Sequence, residues 1–471
     1  MSITSLLIIE ITLFVIYTLS LVYTIGKIFE FVKTPSKTLS WVLVVILIPF
    51  FGIILYHLIG RKVNKQKLFH QKSPFYYRPE KEIFLDKVPR SKLKLIKLLR
   101  ENNSSALSYG NQVTVLKDGP ETFQQMFESM KKANSTIHLD YYIVESGKML
   151  DELIEIFEDR IKNGVKIRLI YDGFGTYNLK SVYINKLKSL GVECKEFIPF
   201  HLLRLFKFLN FRNHRKIVIV DNKVAFTGGM NISDKYIEGD KKLGRWRHTY
   251  LMVEGPAAQD FEHVLACDWY YAGGKKYILS EVSFNYLENG CSVQVVASGP
   301  DSEHQGIMQE YFSIITSAEK YVYIVTPYFI PSEAFMTALK TAALGGIDVQ
   351  IMLPYDSDSK WMKWCMYTYI EELLASQVRI FLFHDGFLHS KVVLSDDIVS
   401  SVGTANIDER SFETNFEINA IVYDKKTTLI LKNDFEEDKN SCEELSLDKF
   451  PHRKDRNKYM EPIARLTSSM L

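Results

Sequence analysis

Two long apolar runs open the chain, Ile3–Ile25, interrupted by the single acid Glu10, and Leu39–Ile59. Each is about as long as a helix that crosses roughly 30 Å of hydrocarbon. The connection Gly26–Thr38 is short, which predicts a two-transmembrane-helix hairpin in residues 1–72, with spans at about 3–25 and 39–59. A signal peptide fits poorly, because the first run lacks a basic start and a small-residue cleavage site and a second run follows closely. No lysine or arginine precedes the first span, three lie in the connection (Lys27, Lys33, Lys37), and five follow the second (Arg61, Lys62, Lys65, Lys67, Lys72). That excess predicts a multi-pass protein whose remaining chain lies on the cytoplasmic face.

Beyond a basic linker, 73–109, short apolar runs alternate with amphipathic stretches. STIHLDYYIVESG, MLDELIEIFEDRIKNG and VKIRLIYDG follow one another in 135–173, and KYVYIVTPYFIPS, EAFMTALKTAALGG and IDVQIMLPYD in 320–356. Strand, helix closed by glycine, buried strand is the pattern of a βαβ crossover, and it occurs twice. The expected fold is α/β: two similar halves, 110–290 and 291–471, each with a mostly parallel sheet flanked by helices and the second closed by C-terminal helices. Within the linker, RSKLKLIKLLR (90–100) suits either a helix lying on an anionic leaflet or one packed on the body.

The repeat extends to polar residues. FRNHRKIVIVDNKVAFTGGMN, 211–231, holds His214, Lys216 and Asp221, and FLHSKVVLSDDIVSSVGTAN, 387–406, holds His389, Lys391 and Asp396. The offset is 175 for all three pairs, and Gly228 with Gly403 and Asn231 with Asn406 keep it. Such agreement on one element of a repeat is not coincidence. Strand residues two apart share a face, so each histidine and lysine enter one space. Each aspartate ends its strand run, where a turn is expected to return the carboxylate toward that space. Two halves about a pseudo-twofold axis then supply two imidazoles and two ammonium groups. That set suits phosphodiester chemistry: one imidazole attacks phosphorus, the other moves the alcohol proton, and the cations hold the phosphoryl charge.

Composition narrows the partners. The chain has 471 residues, 46% hydrophobic and 24% charged, which fits a folded protein of more than one unit. A net charge of +2 lacks the basic surplus of a nucleic-acid binder, so no nucleic-acid partner is expected. The five cysteines are scattered without a CxxC pair, which suits neither a disulfide framework nor zinc. A lysine beside each histidine would repel a metal ion, and neither GxxxxGK[ST] nor GxGxxG occurs, so no metal and no cofactor are expected. HLLRLFKFLNFR, 201–212, mixes apolar residues with three cations and reads as a segment dipping into a membrane surface. KWMKWCMYTYIEELL, 360–374, reads equally as the other lip of a lipid entrance or as an amphipathic helix packed on the sheet.

HRKIVIVD and HSKVVLSD, each followed by G-x-x-N, resemble the paired HKD motifs of the phospholipase D superfamily. More narrowly, the chain resembles bacterial cardiolipin synthases over nearly its whole length, including PFFGIILYHLIGR, TPYFIPS and GTANIDERSFETNFEINA. The resemblance implies a bacterial cell-membrane phosphatidyltransferase. It would convert two phosphatidylglycerol molecules to cardiolipin and glycerol through a phosphatidyl-histidine, with phosphatidylglycerol in the bilayer as donor and acceptor. It further implies His214 and His389 as nucleophile and general acid/base, Lys216 and Lys391 as phosphate ligands, and Asp221 and Asp396 as support. Asn231 and Asn406 would line the phosphate pocket, and Glu417 would hold a histidine. The family commonly reads W-R-D-T-H where this chain has Trp246-Arg247-His248-Thr249-Tyr250. At the constant offset, Glu417 falls opposite Lys242. The alternative function is a hydrolytic phospholipase D-type phosphodiesterase; an idle lipid-binding scaffold would be expected to carry a broken motif. A homo-oligomer is compatible with this reading.

Overall fold

The computed structural model describes residues 3–32, 35–60, 88–199, 211–277, 279, 284, 289–453 and 456–468. The proposed membrane-dipping segment, the basic cluster after residue 60 and the linker up to residue 87 fall outside these residues, apart from Phe211 and Arg212. The N-terminal helices and the body form two units, described separately.

In the N-terminal unit, helix α1 (Ile3–Phe31) has 29 residues, about 44 Å, more than the hydrocarbon thickness. The second apolar run is not one helix. Helix α2 (Pro35–Leu47) has 13 residues, about 20 Å, and the chain then breaks at Ile48-Pro49-Phe50, with Phe50 at φ 61°. Pro49 cannot donate into the α2 hydrogen-bond ladder. Helix α3 (Phe51–Leu55) and a wide turn at Tyr56–Gly60 run back along α2. A Cβ on Gly52 would lie 2.4 Å from Val44 O, and one on Gly60 would meet the Trp41 ring. The pair returns beside α1: Tyr17 meets Phe50 at 4.6 Å between ring centroids, Thr24 Oγ1 meets His57 Nε2 at 3.2 Å, and Thr38 Oγ1 donates to Val32 O. Where a two-span hairpin was expected, the described residues form one long apolar helix with a shorter folded-back pair at its side.

The body is built on one long sheet. Its first half supplies β1 (Leu107–Lys117), β2 (Thr136–Tyr141), β3 (Lys166–Asp172), β4 (Glu193–Phe197), β5 (Arg212–Asn213), β6 (Lys216–Val220), β7 (Val224–Gly228), β8 (Trp246–Arg247) and β9 (Thr249–Glu254). The second half supplies β10 (Cys291–Ser298), β11 (Tyr321–Val325), β12 (Phe329–Ile330), β13 (Asp348–Pro354), β14 (Arg379–Phe383), β15 (Phe387–Leu388), β16 (Val392–Ser395), β17 (Val399–Gly403), β18 (Ile407–Asp408), β19 (Asn415–Tyr423) and β20 (Cys442–Glu444). The order is β20-β14-β13-β11-β16-β17-β19-β10-β1-β9-β7-β6-β2-β3-β4. Read outward from the β10–β1 pair, each half repeats the other strand for strand except for the extra edge strand β20, so the pseudo-twofold axis passes between them.

The sheets are mostly antiparallel, a correction to the expected parallel ones. The βαβ crossovers do form, giving parallel β2–β3–β4 and β11–β13–β14. The motif strands enter by hairpins instead. Asp221-Asn222 and Asp396-Asp397 all have φ between +53° and +60°, the backbone of a two-residue turn whose twist matches antiparallel neighbours. Thus β6 pairs β7 and β2, and β16 pairs β17 and β11, all antiparallel.

Each half has its own apolar core. Leu150, Leu153, Ile154 and Phe157 of the helix Lys148–Lys162 pack on β2 and β3 in the first. Residues 90–100 settle in the second: Leu95, Ile96 and Leu99 of the helix Leu93–Asn103 are buried there, so this helix packs on the body. In the helix Lys360–Ala375, Cys365, Met366, Ile370 and Leu373 are buried, with Trp361 and Trp364 packed partly against them, which is the ordinary amphipathic arrangement. The acidic stretch FEEDKNSCEELSLDKF, 435–450, which falls where C-terminal helices were expected, includes an edge strand, β20, beside β14.

Candidate active site

Short strands exchanged between the halves position the two motif histidines. Strand β5 of the first half pairs with the start of β19 in the second, and His214 N–H then donates to Phe416 O at 2.9 Å. Strand β15 of the second half pairs with β8 of the first, and His389 N–H donates to Arg247 O at 2.9 Å. Each histidine is thus held by the other half, at the centre of the sheet.

The lysines follow two residues later on the same face. Lys216 Nζ donates to His214 O at 2.7 Å, and Lys391 Nζ donates to His389 O at 3.0 Å while lying 3.4 Å from both His389 ring nitrogens. Both lysines are buried. Burial pulls Lys216 down to about 7 and Lys391 well below the ordinary lysine range, with Lys216 lowering Lys391 further. An arriving phosphodiester anion is the counter-charge that would restore both protons.

Glu417 Oε1 and Oε2 both lie 3.0 Å from His214 Nδ1. The carboxylate also accepts from Thr404 Oγ1 at 2.6 Å and Asn415 Nδ2 at 3.2 Å. His214 keeps 15% side-chain exposure and Glu417 none, so the imidazole is reachable while its partner is sealed behind it. Burial lowers His214 to about 4 despite Glu417, and the imidazole pulls Glu417 below its usual range. The resting pair is a neutral histidine beside an ionised glutamate. Nδ1–H points at the carboxylate, which leaves the Nε2 lone pair for chemistry. His389 is also held well below the ordinary histidine value, by burial and then by Lys391.

Asp221 and Asp396 do not turn back to this space. Their hairpins place them at the far ends of β6 and β16, about 16 Å along the strand from each lysine. Asp221 accepts from the backbone N–H groups of Asn134, Ser135 and Thr136 at 2.7–2.9 Å and from Ser135 Oγ. Asp396 accepts from the N–H groups of Glu319, Lys320 and Tyr321, with the buried Lys92 Nζ at 3.4 Å. Each ties the motif hairpin to the start of the neighbouring strand. Asn231 is engaged at both ends of its amide, accepting from Ile143 N and donating to Tyr236 Oη. Asn406 Oδ1 is buried without a hydrogen-bond partner among the described residues.

Further residues that motif spacing did not single out shape the site. Arg215, between His214 and Lys216, points to the opposite face, donates to Glu417 O at 3.1 Å and pairs with buried Asp268. The Tyr142 ring lies edge-on to His214 at 5.0 Å. His248 sits beside His389 with ring centroids 5.1 Å apart. Alternation within a strand accounts for Arg215 facing away, whereas the partners across the halves follow from the register of the sheet.

These features agree with the comparisons to known proteins. The family described as "Cardiolipin synthase, PLD-like domain" matches residues 126–252 and 311–439, one match in each half, and "Phospholipase_D-nuclease N-terminal" matches 13–61. A cardiolipin synthase of Geobacillus sp. (strain WCH70) is 37% identical, over 93% of this chain and 90% of that protein. Cardiolipin synthase 2 of Bacillus anthracis is 37% identical, over 93% and 88%, and a cardiolipin synthase of Clostridium perfringens (strain SM101) is 36% identical, over 93% and 95%. The chain belongs to the cardiolipin synthase family of phospholipase D-like proteins. Among solved structures, phosphatidylserine synthase of Haemophilus influenzae superposes with a TM-score of 0.61 at 13% identity, over 80% of this chain and all of that one, a likeness of fold.

Proposed function

We propose that this protein is a membrane-anchored phosphatidyltransferase that makes cardiolipin and glycerol from two molecules of phosphatidylglycerol. The observation that carries the reading is the facing pair of histidine–lysine motifs at the junction of the halves, with Glu417 behind His214. Relatives named cardiolipin synthase along nearly the whole chain support the substrate. His214 is the better nucleophile, because Glu417 fixes the Nδ1 proton and stabilises the positive charge of a phosphorylated ring. Its Nε2 bonds to phosphorus, the bond from phosphorus to the glycerol oxygen breaks, and His389, protonated once the phosphodiester anion is bound, gives that oxygen a proton. In the return step the hydroxyl of a second phosphatidylglycerol attacks phosphorus, His389 takes its proton, and the P–N bond breaks. Lys216 and Lys391 hold the phosphoryl oxygens in both steps, and Asn406 offers its amide to the same group.

The N-terminal unit supports a topology with one crossing. Helix α1 spans, while α2 and α3 enter and leave from the side of the α1 C-terminus, reaching about 22 Å back to the level of Tyr17. Both basic clusters, Lys27–Lys37 and Arg61–Lys72, then lie on one side, eight cations against none before Lys27. That bias favours the cytoplasm for the catalytic body more strongly than five against three across a two-span hairpin. An epitope at the N-terminus would be labelled from outside intact cells and one at the C-terminus would not; equal labelling of both ends would restore the two-span count.

The test of the activity is product analysis by mass spectrometry. Purified full-length protein in phosphatidylglycerol vesicles should yield cardiolipin and free glycerol in equal amounts. Phosphatidic acid without cardiolipin would make water the acceptor and overturn the transferase reading.

A further inference from the structure

The register of the sheet gives each residue of one half its true counterpart in the other. Gly228 pairs with Tyr250 across β7 and β9, and Gly403 pairs with Asn419 across β17 and β19. Stepping back two residues along β9 and β19 sets His248 against Glu417. The exchanged strands agree, because Phe387 pairs with Trp246 where Arg212 pairs with Asn415. The backbone bonds agree as well: His214 is bound to the carbonyl just before Glu417, and His389 to the carbonyl just before His248. The constant sequence offset hid this equivalence. Asn231 to His248 is 17 residues and Asn406 to Glu417 is 11, so the first-half connection is six longer and Lys242 is not the counterpart.

His248 is fully buried, and neither of its ring nitrogens has a hydrogen-bond partner among the described residues. Its ring is clamped by Trp246, stacked at 5.8 Å, and by Tyr236, edge-on at 5.0 Å, and it meets the His389 ring at 68°. A second exchange accompanies the first. The counterpart of Thr404, whose hydroxyl donates to Glu417, is Gly229. The point its Cβ would occupy lies 3.5 Å from both His248 Nδ1 and His389 Nδ1, so the two nitrogens converge on one small space.

We infer that His248 is the positioning residue of His389, standing where Glu417 stands for His214, and that the two histidines are thereby made unequal by a neutral partner on one side and an anionic one on the other. This rests on the reaction proposed above for the assignment of roles, but the pairing itself rests on the register. The groups facing the two rings are cationic or neutral: Lys391, Lys216 and His214 act on His389, and Lys391, Arg247, Lys235 and Lys216 act on His248 beside the Tyr236 ring. Asp118 meets His248 only at its backbone N–H, and Glu417, Asp408 and Asp358 act on Lys391 rather than on either ring. With no carboxylate against it, the imidazolium of His389 is poorly stabilised and releases its proton readily, as an acid serving a leaving alcohol requires. Glu417 stabilises the cationic ring that a nucleophile becomes.

The test compares His248→Asp and His248→Asn with the wild-type full chain in two ways. In detergent, with carbon-13 at histidine Cε1 and the His389 resonance assigned by substitution, the titration midpoint of His389 should rise by one unit or more in His248→Asp and not in His248→Asn. For cleavage of phosphatidylglycerol, kcat should fall about tenfold in His248→Asn with KM within about threefold, and the pH profile of His248→Asp should move alkaline by a similar unit. An unchanged midpoint in His248→Asp, or a change confined to KM, would overturn the assignment. If the wild-type chain cleaved no phosphatidylglycerol, the proposed reaction would fall while the resonance titration still decided the role of His248.

Discussion

The two halves of the body share a strand order, a histidine–lysine pair, and a hairpin whose aspartate caps the neighbouring strand, yet they surround their histidines differently. Behind His214 stands a sealed carboxylate fed by the Thr404 hydroxyl. Beside His389 stand a clamped imidazole and a glycine. A symmetric scaffold therefore supplies two alike groups, and the residues reaching across from the opposite half give them unlike surroundings. Electrostatics favour the same contrast, since an anion raises the proton affinity of one ring while cationic and neutral groups face the other.

The hardest break to this comparison is removal of either ring. His214→Ala and His389→Ala should each lower the rate of cardiolipin formation by on the order of 10³-fold or more in a vesicle assay, because neither half can perform both roles. Next in size is Glu417→Gln, expected to cost about 100-fold in kcat with little change in KM, since an amide holds the tautomer of His214 less firmly and cannot balance a cationic ring. Lys216→Met should raise KM about tenfold through loss of a charged hydrogen bond to phosphate. The pH dependence sharpens the same point. Lys216 in the free enzyme is lowered to about 7, so it loses charge as pH rises through neutrality and kcat/KM should decline above about pH 7, whereas His214, lowered to about 4, stays neutral and sets no limit there.

The smallest effect on activity is expected at the aspartates. Asp221→Asn should leave kcat within about threefold and cost about 1–3 kcal/mol of stability, read as a lowered Tm, because its partners are backbone N–H groups far from the histidines. Those hydrogen bonds hold the Asp221 carboxyl below its usual range, so their contribution is present above pH 4 and is lost as pH falls through the folded value. Asp396→Asn should destabilise more, since it leaves buried Lys92 without its counter-charge.

Much of this was legible in the sequence because spacing carried it. Histidine and lysine two apart on a strand must share a face, and the constant offset exposed the duplication. The βαβ runs gave the parallel triplets. The antiparallel remainder was hidden in Asp221-Asn222 and Asp396-Asp397, whose left-handed backbone makes hairpins of the motif strands and carries the aspartates away from the site. The reversal at Pro49-Phe50 was hidden because an apolar run reads the same whether it crosses or turns back, although the proline was a signal in plain view. Glu417 was found through its resemblance to relatives, while its counterpart His248 emerged only from strand register, since six extra residues shift the alignment.

The two-histidine site is tested most directly by where the phosphatidyl group is carried. Purified chain mixed briefly with phosphatidylglycerol, quenched under conditions that preserve phosphohistidine, and digested for mass spectrometry should show the adduct on the peptide containing His214. It should be absent from His214→Ala. An adduct on His389 alone would reverse the division of labour between the halves, and cardiolipin formed at full rate by His214→Ala would contradict the two-histidine site itself.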